Sequence, residues 1–223
     1  MSSLAEASDV VFDGGSVCLV DDDVDEVGDA KNKKKAQKLA AKCDEQRKRA
    51  QANVPRFVIL CGFPGSGKST FAKQMVLGSA GKFVRCNQDE LGKKGCMNLI
   101  QRHSKPTNSE GKRVVVDRCN ISRNDRRVLM DLMHWPSPKD IACVYFKISA
   151  QQCCQRMANR TNHPTVKPGT PRDMMKIVGS FRKRLEPPTM DEGFGAVHCV
   201  ESIQDAEALL RKFGCILENG NRT

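Results

Sequence analysis

The residues whose types and spacing bear most directly on chemistry are Gly62-Phe63-Pro64-Gly65-Ser66-Gly67-Lys68-Ser69-Thr70, a complete GxxxxGKS run followed by Thr. Its glycines let the backbone wrap closely around an anion, so that N–H groups and a helix start face phosphate oxygens. On this spacing Gly62, Pro64, Gly65, Ser66, Gly67, Lys68, Ser69 and Thr70 are expected to bind a nucleotide. Lys68 is assigned to the β and γ phosphates of ATP and Ser69 to Mg²⁺.

Binding a nucleotide is not yet catalysis, so the loops that meet the phosphate loop at the same sheet edge matter next. Asn87-Gln88-Asp89-Glu90-Leu91-Gly92 follows one apolar run, and Asp117-Arg118-Cys119-Asn120, with Arg123, Arg126 and Arg127 beyond it, follows another. Asp117 ends a Val-Val-Val run, the place for a carboxylate that holds Mg²⁺ or orients a catalytic group. Asp89 is expected on the acceptor side of the γ phosphate as general base. The bland alternative makes Asn87, Asp89 and Glu90 a turn and helix cap. Asn87, Asp89, Arg118, Asn120, Arg123 and Arg127 are assigned to acceptor binding. The segment Arg156 to Pro164 reads as a lid, with Arg156 and Arg160 neutralising the transferring phosphoryl group and excluding water. His163 reads as a loop residue, and the lone Trp135 as a packing residue.

These residues need a scaffold, and the hydrophobic pattern supplies one. Phe57–Cys61, Phe83–Cys86, Val114–Val116, Ile141–Ile148 and Ala196–Val200 read as five strands, each followed by a polar stretch long enough for a crossover helix. Strand–helix alternation predicts an α/β fold with a mostly parallel five-stranded sheet and helices on both faces. The domain is expected to span 54–218, with a short tail at 219–223.

Upstream, residues 1–30 hold nine acids and no Lys or Arg and are expected to form a disordered acidic tail. Val17-Cys18-Leu19-Val20-Asp21-Asp22-Asp23 loosely resembles the nucleophile motif of haloacid-dehalogenase phosphatases, but too few residues separate it from the next domain. Residues 31–53 carry nine Lys or Arg against two acids and read as a basic linker or helix. The net charge of +11 therefore hides a strongly basic body, which favours nucleic acid as a partner. Lys33-Lys34-Lys35 and Arg47-Lys48-Arg49 could serve as a nuclear address or as phosphate contacts, so within the cell the nucleus is the expected residence and the cytoplasm the alternative. No apolar run is long enough to cross a bilayer, and the start of the chain lacks the order of a secretory leader. The 11 cysteines are thus expected as free thiols in a reducing compartment, without zinc-site spacing. An aromatic content of 5% offers no evident stacking platform for single strands.

Taken together, the phosphate loop, the Asn-x-Asp-x-Leu-Gly segment at Asp89, the Val-Asp-x-x-Asn strand end at Asp117, the arginines 156 and 160, and Glu186-Pro187-Pro188-Thr189-Met190-Asp191-Glu192-Gly193-Phe194 resemble the kinase domain of the polynucleotide kinase/phosphatase family. The similarity runs from about Phe57 to Ser202. It implies transfer of the ATP γ phosphate to a 5′-hydroxyl of DNA or RNA, with Asp89 as base and Lys68, Ser69 and Arg160 acting on phosphates and metal. Many members have Asn-Arg-Asp where Asn87-Gln88-Asp89 stands here, and Asp-x-Thr-Asn where Asp117-Arg118-Cys119-Asn120 stands. The latter form looks more like kinase-like domains fused to aprataxin-type modules. A kinase for a nucleotide or other small metabolite, and a silent module that binds ATP and nucleic acid, are the two other readings.

Overall fold

A computed structural model describes residues 54–105, 111–159 and 170–217. The expected acidic tail, basic linker and C-terminal tail lie outside the described residues, as do Arg160 and His163. Five strands form one sheet: β1 (Phe57–Gly62), β2 (Phe83–Asn87), β3 (Arg113–Asp117), β4 (Ile141–Phe146) and β5 (Ala196–Val200). Among the described residues, six helices follow or connect them: α1 (Lys68–Gly78), α2 (Gln88–Ser104), α3 (Arg123–Leu132), α4 (Ala150–Ala158), α5 (Pro171–Arg182) and α6 (Ile203–Lys212).

The strand order is β2-β3-β1-β4-β5, and every pairing is parallel. Central β1 is buried along its whole length, as a strand covered on both faces must be. Its side chains alternate between two cores. Val58 and Leu60 join Phe71 and Met75 of α1, Cys153 and Met157 of α4, Val178 of α5 and Leu210 of α6. Phe57, Ile59 and Cys61 join Ile100 of α2 and Leu129 and Met130 of α3. Truncating one such residue, as in Leu60→Ala, costs about 2–5 kcal/mol through lost burial and the cavity left behind.

The order reverses beside β1: the chain leaves β1 for β2 on one side, and after β3 crosses to β4 on the other. The carboxyl ends of β1, β2 and β3 therefore meet at a switch point, the place where open α/β sheets bind ligands. Register puts Asn87 opposite Asp117 at that edge. The helices that leave it begin on side-chain caps. Asn87 accepts from the Asp89 and Glu90 amides, and Ser122 and Asp125 form a capping box on α3. Within α2, Gly92 (φ 67°, ψ 171°) breaks the helical path, so the first turn carrying Asp89 is set off from the body of the helix.

Candidate active site

The floor of the site is the loop between β1 and α1. Gly67 (φ 103°) occupies the left-handed region and caps α1 without a side chain. At Gly65 (φ 82°) a Cβ would lie 2.5 Å from the Cys153 carbonyl oxygen and 2.8 Å from Met157 Cγ, so glycine also lets α4 pack directly on the loop. The Gly62 amide donates to the Cys119 carbonyl at 3.0 Å, tying the loop to the segment after β3. Lys68 is buried, and its Nζ donates to the Phe63 carbonyl (2.6 Å) and Ser66 Oγ (3.2 Å). Its charge thus sits against the backbone of the loop itself.

Asp117 stands beside this floor with its two carboxylate oxygens in different company. Oδ1 accepts from Ser69 Oγ at 3.1 Å. Oδ2 accepts from Asn87 Nδ2 (2.9 Å) and from Arg85 Nε (2.8 Å) and Nη2 (2.5 Å). Arg85 also donates to Glu90 Oε1 at 2.6 Å, which ties β2 to the turn that bears Asp89. Burial acts to lower the Arg85 pKa, but its bonds to Glu90 and Asp117 outweigh this and hold it above its ordinary value.

A cavity of about 370 Å³ opens above these groups. The loop contributes Pro64, Gly65, Gly67, Lys68 and Ser69, the β2–α2 junction contributes Gln88 and Asp89, and the β3 end contributes Asp117, Arg118 and Cys119. Met157, Ile177 and Phe181 form an apolar wall, and Arg184 closes the rim at 3.8 Å from Asp125 Oδ2. Asp89 is exposed, and its carboxylate has no hydrogen bond or ion pair among the described residues. Arg156 reaches over the loop, its Nη1 donating to the Ser66 carbonyl at 3.4 Å.

The residues assigned from spacing fall in different positions around the cavity. Thr70 is exposed on α1 and does not line the cavity, and Gly62 and Ser66 lie behind its surface. Asn87 lines the cavity but is buried, with its oxygen committed to capping α2 and its amide to Asp117. Asn120 also lines the cavity, is 2% exposed and ties the segment after β3 to β1 by donating to the Leu60 carbonyl at 2.8 Å. Arg123 and Arg127 line a separate cleft on another face of α3. Arg126, which is 1% exposed, clamps Glu192 through two bonds of 2.7 Å and donates to the carbonyls of Asn120, Ile121 and Glu186.

Arg85 and Arg184 were not legible as site residues. An arginine inside a short strand has no motif, and Arg184 is one of three consecutive basic residues with no spacing of its own. Cys61, beneath the loop, is a buried thiol pushed up to about 11 by burial despite the nearby Arg126 and Lys68, so it packs as a hydrophobe.

Residues 57–188 match the family model described as an AAA domain. The chain is 31% identical over 153 residues to the Arabidopsis thaliana protein named Transcription factor bHLH140, covering 67% of this chain and 16% of that protein. It is 29% identical over 156 residues to the bifunctional polynucleotide phosphatase/kinase of Schizosaccharomyces pombe, covering 66% and 35%. The match thus spans well under half the length of either curated relative. Among solved structures, Kti12 of Chaetomium thermophilum in complex with ADP-AlF3 superposes with a TM-score of 0.50 at 12% identity, over 73% of this chain and 100% of that one. That likeness concerns the fold.

Proposed function

The chain belongs to the AAA-domain family, and from that premise we propose that it is an ATP-dependent kinase acting on the 5′-hydroxyl ends of DNA or RNA, in end repair or RNA processing. Its P-loop kinase fold supplies nucleotide binding; the acceptor is our reading. The observation that carries it is Asp89, a carboxylate without a protein partner among the described residues, on the same cavity as Lys68 and Ser69. A carboxylate with its oxygens uncommitted can accept a proton, which supports this reading.

In this reading the acceptor hydroxyl oxygen bonds to the γ phosphorus as the bond to the bridging oxygen breaks. ADP leaves with that oxygen, and Asp89 takes the hydroxyl proton. Lys68 and Arg156 hold the phosphates in line and offset charge that builds on them. Ser69 Oγ and Asp117 Oδ1, hard oxygen donors 3.1 Å apart, fit Mg²⁺ and would hold it. When bound, that ion neutralises charge shared by the β and γ phosphates. Support for a polynucleotide acceptor comes from the basic body of the chain, from the exposed Arg118 at the cavity mouth, and from the relative named as a polynucleotide phosphatase/kinase.

The test is transfer of labelled γ phosphate from Mg·ATP to 5′-hydroxyl oligonucleotides, DNA and RNA separately. Asp89→Asn should lower turnover by about 10²–10⁴-fold and leave ATP binding intact. Transfer to mononucleotides or small metabolites, and not to oligonucleotides, would move the assignment to a small-molecule kinase. ATP binding without transfer to any acceptor would make it a silent module.

A further inference from the structure

The chain has one tryptophan, and it is not packed away as its sequence context predicts: Trp135 is 52% exposed. It follows α3 at a turn where His134 (φ 56°) and Trp135 (φ 47°) both occupy the left-handed region, a conformation that costs side-chain-bearing residues energy and recurs at ligand sites. The turn is held by the Trp135 amide on the Met130 carbonyl (2.9 Å), and the ring by Nε1 on Asp131 Oδ1 (2.8 Å). The indole is therefore fixed in orientation with much of its surface open to solvent.

It borders a cleft of about 500 Å³, apart from the phosphate cavity, whose walls include Asn124 and Arg127 of α3. Arg123, Arg127 and Asp131 recur every four residues and share one helix face. The acids of the cleft are engaged: Asp191 pairs with Arg123, Glu192 is clamped by Arg126, and Glu186 accepts the Arg123 amide. Arg127 is exposed and has no hydrogen bond or ion pair among the described residues.

A fixed aromatic face beside an uncommitted guanidinium matches one nucleotide unit, with the base on the indole and the phosphate on the cation. A base inside a duplex would not offer its face, so the matching partner is single-stranded. We propose that this cleft is a nucleotide subsite for single-stranded nucleic acid, in which Trp135 stacks a base and Arg127 meets a backbone phosphate. As a subsite for the acceptor strand, it rests on the polynucleotide reading above. The first turn of α3 divides the two sites, with Asp125 on the cavity and Asn124 on the cleft, so a strand entering the cavity by its 5′ end would continue into the cleft and along α3 toward Trp135, past the far end of that helix.

Because Trp135 is the chain's sole tryptophan, its emission reports on the cleft directly. Titrating the full chain with a 5′-hydroxyl dT or rU oligonucleotide should quench that emission saturably, at the concentrations where anisotropy of a labelled oligonucleotide shows binding. Arg127→Gln should weaken binding about fivefold and reduce the slope of log K on log salt by about one. Trp135→Ala should raise the KM for the oligonucleotide about tenfold with the KM for ATP unchanged; Trp135→Phe, which keeps a stacking face, should recover most of that loss. Oligonucleotide binding without quenching, or an unaltered affinity in Arg127→Gln, overturns the subsite. Phosphate transfer without quenching would sink this inference and leave the kinase reading standing. Saturable quenching without transfer would do the reverse.

Discussion

Arg85 directs both Nε and Nη2 onto a single oxygen of Asp117, Oδ2, at 2.8 and 2.5 Å. The other oxygen, Oδ1, is left to Ser69. The carboxylate is thereby fixed in rotation, with one oxygen committed to β2 and one turned to the start of α1. Asp117 is almost fully buried, and a buried anion persists only with such compensation.

Removing Arg85 should therefore harm both fold and site. Arg85→Met is expected to lower stability by about 3 kcal/mol in urea unfolding, because Asp117 would keep only neutral partners. Arg85→Lys should recover part of that loss and not all, since one ammonium cannot supply the paired donors of a guanidinium. Wild-type stability in Arg85→Met would show that the pair carries no net weight.

The clamp between Arg126 and Glu192 predicts a larger effect from a single change than from a matched one. Glu192→Gln leaves a buried guanidinium without its charge partner and should cost about 3–5 kcal/mol. Arg126→Met together with Glu192→Gln should cost less than the sum of the two single variants. A double-mutant cycle by denaturant unfolding measures the difference, and strict additivity would contradict the clamp.

How far the fold could be read from the sequence follows from where its information lies. The five strands stand where their apolar runs put them, each within two residues at either end, because the buried central strands β1, β3 and β4 are largely apolar and polar loops interrupt every run. The phosphate loop was legible because glycine spacing encodes backbone geometry locally. The cap at Asn87 was one of the two readings its position offered, whereas the tie of Asn120 to the Leu60 carbonyl and the clamp of Arg126 on Glu192 were not legible, since such long-range partners are set only by folding. Trp135 misled in the opposite direction. A tryptophan between a helix and a proline predicts packing, and only the left-handed turn at 134–135 keeps its ring exposed.

Gly65 couples the phosphate loop to α4, so a methyl group there tests whether that contact matters. In Gly65→Ala the Cβ would overlap the Cys153 carbonyl oxygen, which is backbone and cannot swing aside, and φ is unfavourable as well. Stability should fall by about 2–4 kcal/mol from strain and overpacking, and ATP affinity should weaken as the loop or α4 shifts. Calorimetric ATP binding equal to wild type would mean that the loop absorbs the methyl group without moving.

Acid should lower the stability of the domain over two pH ranges, with the same sign in each. His198 packs edge-on against Phe213 at 5.6 Å, and burial, aided by Lys212, holds its pKa below the ordinary 6.5. The unfolded chain therefore takes up this proton at higher pH than the folded one, and stability declines as pH falls below 6.5 toward the depressed folded value. Lower down, bonds from the caps Thr170 and Ser202 hold Asp173 and Asp205 below the usual carboxylate range. Their contribution is complete above the unfolded carboxylate pKa of about 4 and is lost as pH falls through the folded values. Melting temperature recorded from pH 8 to pH 3 should show both declines. His198→Gln should flatten the upper one, and Asp173→Asn with Asp205→Asn should reduce the lower one, to which Asp191 and Glu201, also held low, contribute the rest. A profile that keeps its upper decline in His198→Gln would assign that decline to other groups.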